Sequence, residues 1–157
     1  MGRYLDIHIE GIDDKGEKLK RIIGERIQCS LSLTPYRFAS GEYDSVIGLL
    51  EDAAKQPQIT LGQQGNTHQC GKEHFFADKW HENSCLYGKR LEINEQKKFM
   101  IEGKKTIESC LGKSPRLYVP PNHMYDLNSL TAARELGYDF FAIRARTDEI
   151  MKHGSLH

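Results

Sequence analysis

The sequence predicts an α/β domain on a mainly parallel sheet with crossover helices, either open and doubly wound or part of a (β/α) barrel. Two observations carry this. Stretches with period-two apolar alternation take turns with stretches of helical period, in the order strand, helix, strand, helix, strand as far as Leu61. After a long irregular interval the same alternation resumes, which again favours crossover connections between parallel strands.

Leu5, Ile7 and Ile9 alternate with Asp6, His8 and Glu10, a strand that stops at Gly11. Leu19, Ile22 and Ile23 fall at helical spacing within 15–25, and Gly24 lies near the end. Ile27, Cys29, Leu31 and Leu33 alternate until Pro35, which cannot donate to a ladder. Asp44 stands where it would cap a helix carrying Val46, Ile47, Leu49, Leu50, Ala53 and Ala54, with Pro57 beyond it. Ile59 and Leu61 form a short third strand. Past Gly62 the periodicity vanishes for about thirty residues, long for a loop inside a compact domain. Order returns near Asn94, where Phe99, Gly103, Ile107 and Leu111 share one helical face and Gly112 supplies the stop. Leu117 and Val119 make a brief strand before Pro120 and Pro121. Asn128 is expected to cap a helix with Leu130, Ala133 and Leu136, closed by Gly137, and 138–143 reads as the last strand.

The chain has 157 residues, the size of one domain and enough to bury a core. Lys plus Arg and Asp plus Glu each number 22 and are interspersed, so no basic stripe points to nucleic acid. No apolar run approaches the ~20 residues that span a bilayer. The start, from Met1 to Asp6, lacks a signal-peptide pattern, and Asp6 occupies the place where a myristoylation signal needs Ser or Thr. A cytoplasmic protein is expected, with Cys29, Cys70, Cys85 and Cys110 as reduced thiols.

In both candidate architectures chemistry gathers at the carboxyl ends of the strands. That brings 11–15, 63–74 and 120–125 together. Asp13 and Asp14 follow the first strand; adjacent carboxylates can divide metal binding and proton transfer between them, or simply form a capping turn. His68, in Gly65-Asn66-Thr67-His68, offers an imidazole for a divalent metal, although a lone loop histidine is more often just solvated. Pro120-Pro121-Asn122-His123 is a stiff turn that fixes where Asn122 and His123 project. A second grouping of His68, Cys70, His74, His81 and Cys85 suits a structural zinc, but its spacing matches no compact finger.

Taken together, these segments resemble the polysaccharide-deacetylase (NodB-homology) family. The residues that carry the resemblance are Gly11-Ile12-Asp13-Asp14 at a strand end, Gln64-Gly65-Asn66-Thr67-His68, Leu111-Gly112-Lys113-Ser114-Pro115, Val119-Pro120-Pro121-Asn122, and the stretch from Leu130 to Gly137-Tyr138. The similarity runs through nearly the whole chain. It implies a single domain over 1–157, a partial or distorted (β/α) barrel whose C-terminal part is incomplete.

The resemblance also implies a function. A divalent cation, zinc first, would be held by Asp14 and His68 with Gln64 in the third ligand's place, and Asp13 would be the general base. The cation would polarise the amide carbonyl of an N-acetylated carbohydrate or related amide and lower the pKa of the attacking water. Backbone N–H groups near Pro121 and Asn122 would hold the oxyanion, with Tyr125 beside them among the substrate residues. Three positions depart from the pattern. Gln64 replaces an imidazole, Val119 stands where an arginine is usual, and the late Leu-x-His motif is not reproduced by Ser155-Leu156-His157. The other reading is a carbohydrate-binding protein of the same fold that Gln64 has made catalytically inactive, holding sugar on Tyr125, Trp80 or Phe75 as stacking platforms. A homodimer covering an open sheet edge is a further expectation.

Overall fold

The alternating stretches do form strands, and the strands pair in chain order. The computed structural model describes residues 5–9, 16–67, 91–121 and 125–142. Within these, β1 (Leu5–His8), β2 (Cys29–Leu33), β3 (Ile59–Gln64), β4 (Leu117–Val119) and β5 (Phe140–Phe141) make one sheet ordered β1-β2-β3-β4-β5, every neighbouring pair parallel. Between them run α1 (Glu17–Gly24), α2 (Tyr36–Ala39), α3 (Ile47–Lys55), α4 (Ile93–Leu111) and α5 (Leu127–Glu135).

This order decides between the two architectures. A doubly wound sheet reverses its strand order at a switch point and carries helices on both faces. Here the described strands never reverse, and right-handed crossovers between successive strands put each connecting helix on the same side. The packing agrees. Leu19 and Ile22 of α1, Leu50 and Ala53 of α3, and Ile107 of α4 share one buried cluster with Cys29, Leu31, Leu33, Ile59 and Leu61. The register carries that face onward, because Leu33 pairs with Gln63 and Gln63 with Tyr118. Tyr118 in turn packs with Met100 of α4 and with Ala132 and Ala133 of α5. The doubly wound alternative is thereby corrected, and the arc of a barrel remains.

The other face holds Ser30 and Ser32 of β2, Gly62 and Gln64 of β3, and Leu117 and Val119 of β4, all buried as well. A Cβ on Gly62 would lie 2.6 Å from Ser32 Oγ on one side and 3.3 Å from Leu117 Cδ2 on the other. Side chains of both flanking strands lean over the strand between them, as on the concave side of a curled sheet. Small residues at these positions are what the close approach requires.

Several boundaries differ from the sequence expectation. Asp44 does not cap a helix; it opens a 3-10 turn, Asp44–Val46, and α3 starts at Ile47. Asp126, not Asn128, caps α5: its Oδ1 accepts from the Ser129 N–H at 2.9 Å while its own N–H donates to Ser129 Oγ at 3.1 Å. A capping side chain must stand outside the helix and reach back three residues, and Asn128 already lies inside. The single turn α2 was not anticipated. Strand β2 begins at Cys29 rather than Ile27, and within the described part of 138–143, residues 138–142, β5 covers Phe140 and Phe141. The stop at Gly112 is as expected, with φ 65 in the left-handed region.

A buried polar seam joins α4 to β3. A Cβ at Gly103 would strike the Gln63 amide and come within 2.9 Å of Pro35 Cγ, so glycine lets the helix settle onto the strand. Gln63 Nε2 donates to the Met100 carbonyl at 3.2 Å, and its Oε1 accepts from the Tyr138 hydroxyl at 2.6 Å. Burial pushes the Tyr138 phenol far above its ordinary range, with the Glu108 charge adding to the effect. Cys29 is buried and Cys110 half-buried, whereas Cys70 and Cys85 lie outside the described residues. Among the described residues no helix is long and apolar enough to cross a membrane.

Candidate functional site

Parallel strands paired in register end on one edge, and the segments that follow them begin there. At that edge β1 gives way to Ile9, whose N–H donates to the Ser32 carbonyl at 3.0 Å and so extends the ladder. Tyr43 clamps the next step. Its hydroxyl donates to the Ile9 carbonyl at 3.0 Å and accepts from the Thr34 N–H at 3.2 Å, while its ring meets Phe38 edge-on with centroids 4.8 Å apart. The ends of β1 and β2 are thus tied by one buried phenol. Tyr43 lies in a segment without clear periodicity, so the sequence carried no signal for it.

The ends of β2, β3 and β4 are linked through backbone. Beyond β2, the Tyr36 N–H donates to the Asn66 carbonyl at 2.9 Å. Gly65, at φ 56, donates its N–H to the Val119 carbonyl at 3.0 Å. Asn66 Nδ2 reaches Glu102 Oε2 on α4 at 3.4 Å. The stretch from Gln64 to Thr67 is therefore held from α2, β4 and α4.

Of the residues singled out from the sequence, three are described. Gln64 ends β3, is only 2% exposed, pairs with Val119 and shares the concave face with Gly62. Pro121 is buried directly beyond β4, as is Pro120. Tyr125 is half-buried with its ring edge-on to Phe141 at 5.6 Å. Phe141 pairs with Tyr118 and belongs to the helix-side face, so the Tyr125 ring stands on the helix side of the β4 end. Asp13, Asp14, His68 and Asn122 lie outside the described residues. So do His123, the second grouping of His68, Cys70, His74, His81 and Cys85, and the aromatic candidates Phe75 and Trp80. Among the described residues no group of three or more His, Cys, Asp or Glu is placed to hold a metal ion.

The register shows how far apart the relevant tethers start. His8 pairs with Ser32 and Ser32 with Gly62, so β1 and β3 stand two strand spacings apart, roughly 10 Å. Asp14 lies six residues past His8, and His68 lies six residues past Gly62. β3 itself runs on to Gln64, four residues before His68, whereas β1 ends six residues before Asp14, so the chain leaves the two strands at the same edge on tethers of four and six residues.

Compared by sequence, the chain matches no protein-family model and no curated protein. Its architecture does have counterparts among solved structures. A CE4-family pseudoenzyme from Bacillus anthracis superposes with a TM-score of 0.60 at 11% identity, over 88% of this chain and 41% of that one. A mutant of that pseudoenzyme with restored enzymatic activity matches to the same extent. The family 4 carbohydrate esterase from Streptomyces lividans, solved in complex with acetate, gives 0.57 at 12% identity over 95% of this chain and 69% of that one.

The fold is that of the family 4 carbohydrate esterases.

A peptidoglycan deacetylase from Bacillus subtilis shares this family 4 fold as well, at a TM-score of 0.56 and 13% identity over 96% of this chain and 67% of that one. The chain spans about two fifths of the length of the pseudoenzyme it matches. The carboxyl edge described above is thus the edge of a family 4 fold, which is the architecture the sequence motifs implied.

Proposed function

We propose that this chain is a metal-dependent hydrolase that removes an acetyl group from an N-acetylated carbohydrate or related amide. The observation that carries the reading is the register across β1, β2 and β3, from which the segments leading to Asp14 and to His68 start at one carboxyl edge, about two strand spacings apart. The family 4 fold supports it, since the counterparts include carbohydrate esterases and a peptidoglycan deacetylase.

The donor set fits a divalent ion unevenly. A carboxylate at Asp14 and an imidazole at His68 are good zinc ligands, whereas the Gln64 amide is neutral and binds through a carbonyl oxygen. Gln64 is also almost wholly buried at the end of β3. Asp14 and His68 would hold the ion, with Gln64 the weaker third donor. The ion would polarise the acetyl carbonyl. Asp13 would take the proton from the attacking water, and N–H groups around Pro121 and Asn122 would receive the oxyanion. The products would be acetate and a free amine.

A second reading has its own observation. The buried amide at Gln64 stands where an imidazole is expected, and one counterpart of the same fold is a pseudoenzyme. Under that reading the chain holds carbohydrate without cleaving it.

Zinc content and acetate release from an N-acetylglucosamine oligomer separate the two. The hydrolase reading expects bound zinc, measurable acetate release, and loss of release in Asp13→Asn. Zinc-free protein with no acetate release rejects it. Gln64→His is expected to tighten zinc binding under both readings; it raises an existing rate under the first and creates one under the second.

A further inference from the structure

We infer that the turn from Thr34 to Tyr36, at the carboxyl end of β2, forms a sugar-binding wall beside the candidate site, with the Tyr36 ring as stacking platform for a pyranose. The inference rests on the carbohydrate reading above for the identity of the ligand, and it holds whether or not the chain cleaves that ligand.

Tyr36 opens α2 three residues past the end of β2 and is 41% exposed as a residue. Its backbone is anything but loose. Pro35 before it is buried, and the Tyr36 N–H donates to the Asn66 carbonyl at 2.9 Å. An aromatic ring kept in water on a firmly held backbone loses little freedom when a ligand stacks on it. The C–H face of a pyranose meets an aromatic face in the same way that other apolar surfaces do.

Thr34 adds an independent sign. It is 2% exposed and stands level with Gln64, one residue beyond the Leu33–Gln63 pair. Its N–H donates to Tyr43 and its carbonyl accepts from Arg37, yet among the described residues its buried Oγ1 has no hydrogen-bond partner. A buried hydroxyl without a partner is unfavourable, and valine would fill the same space without that penalty. Such a hydroxyl at the ligand-bearing edge of this fold is matched when a ligand oxygen or a bridging water arrives. The other large apolar side chains exposed among the described residues are Ile101, Leu127, Leu130 and Phe140, and of these Phe140 alone is aromatic. Phe140 pairs with Leu117 at the start of β4, away from the carboxyl edge.

The test is calorimetric titration of N-acetylglucosamine tetramer into the full chain and its variants, with 4-nitrophenyl acetate hydrolysis and zinc content as controls that need no sugar platform. Tyr36→Ala is expected to weaken tetramer binding about threefold to tenfold. Tyr36→Trp is expected to restore it, with the melting temperature and both controls unchanged. Thr34→Val is expected to weaken the tetramer by a smaller factor without lowering the melting temperature, and Thr34→Ser to bind as the parent does. Tetramer binding that is equal in parent and Tyr36→Ala overturns this inference and leaves the carbohydrate reading standing. A parent chain that binds no tetramer overturns both. A lowered melting temperature in Thr34→Val with unchanged tetramer binding assigns that hydroxyl to the fold and removes it from the wall.

Discussion

Tyr43 shows how much one side chain does at the edge that bears the candidate site. Its hydroxyl serves both a carbonyl of the chain leaving β1 and an N–H of the chain leaving β2. Tyr43→Phe leaves both backbone groups buried without that partner. Urea unfolding is expected to report a loss of about 1–3 kcal/mol, and a change under 0.5 kcal/mol would contradict the clamp. Tyr138 makes a different prediction, because burial and Glu108 raise its pKa in the folded state. The folded chain then holds a proton that the unfolded chain gives up near pH 10, where free tyrosine titrates. Stability is therefore full below about pH 10 and falls as the pH rises further. Tyr138→Phe is expected to flatten that alkaline decline while lowering stability at neutral pH, where Gln63 loses its donor; parallel pH curves for the two proteins would refute the assignment.

At the scale of elements, the seam between α4 and β3 depends on Gly103. Gly103→Ala brings a Cβ into the Gln63 amide and against Pro35. Thermal unfolding is expected to show about 1–3 kcal/mol of destabilisation, against the slight gain an exposed helical Gly→Ala brings. Helix α5 has a separable term. Asp126→Ala removes the cap on Ser129 and is expected to cost about 1 kcal/mol, with Asn128→Ala near neutral. Equal effects at the two positions would return the cap to Asn128. The elements themselves were largely legible. The period-two runs at 5–9, 27–33 and 117–119 contain β1, β2 and β4, and of the expected face of Phe99, Gly103, Ile107 and Leu111 the last three lie on the buried face of α4, where Met100 rather than Phe99 continues it. Their ends were less so, because Asp44 and Asn128 have the right chemistry for caps but the wrong place relative to the first turn.

For the whole molecule, the strand order matters most. A single-direction winding leaves a concave face lined by Ser30, Ser32, Gly62 and Gln64, and gathers the segments after β1, β3 and β4 on one edge. A ligand that binds only the folded form stabilises it by mass action. Zinc at a hundredfold its dissociation constant is expected to raise unfolding free energy by about 2.7 kcal/mol, readable as a higher melting temperature that a chelator reverses. His68→Ala is expected to abolish that rise. A zinc effect that survives His68→Ala would move the metal away from this edge.

The sequence by itself determined which stretches face a core and with what period, and it placed the paired carboxylates after the first strand, the loop imidazole after the third and the double proline after the fourth. Those are local facts: an alternation of two or of three to four records which way neighbouring residues turn. The direction of winding, the Tyr43 clamp and the meeting of Gln63 with Tyr138 were decided by tertiary structure. Each joins groups distant along the chain, from Ile9 to Tyr43 or from Gln63 to Tyr138. Periodicity carries no record of such partners, because the same alternation is satisfied by any strand order that buries the same face.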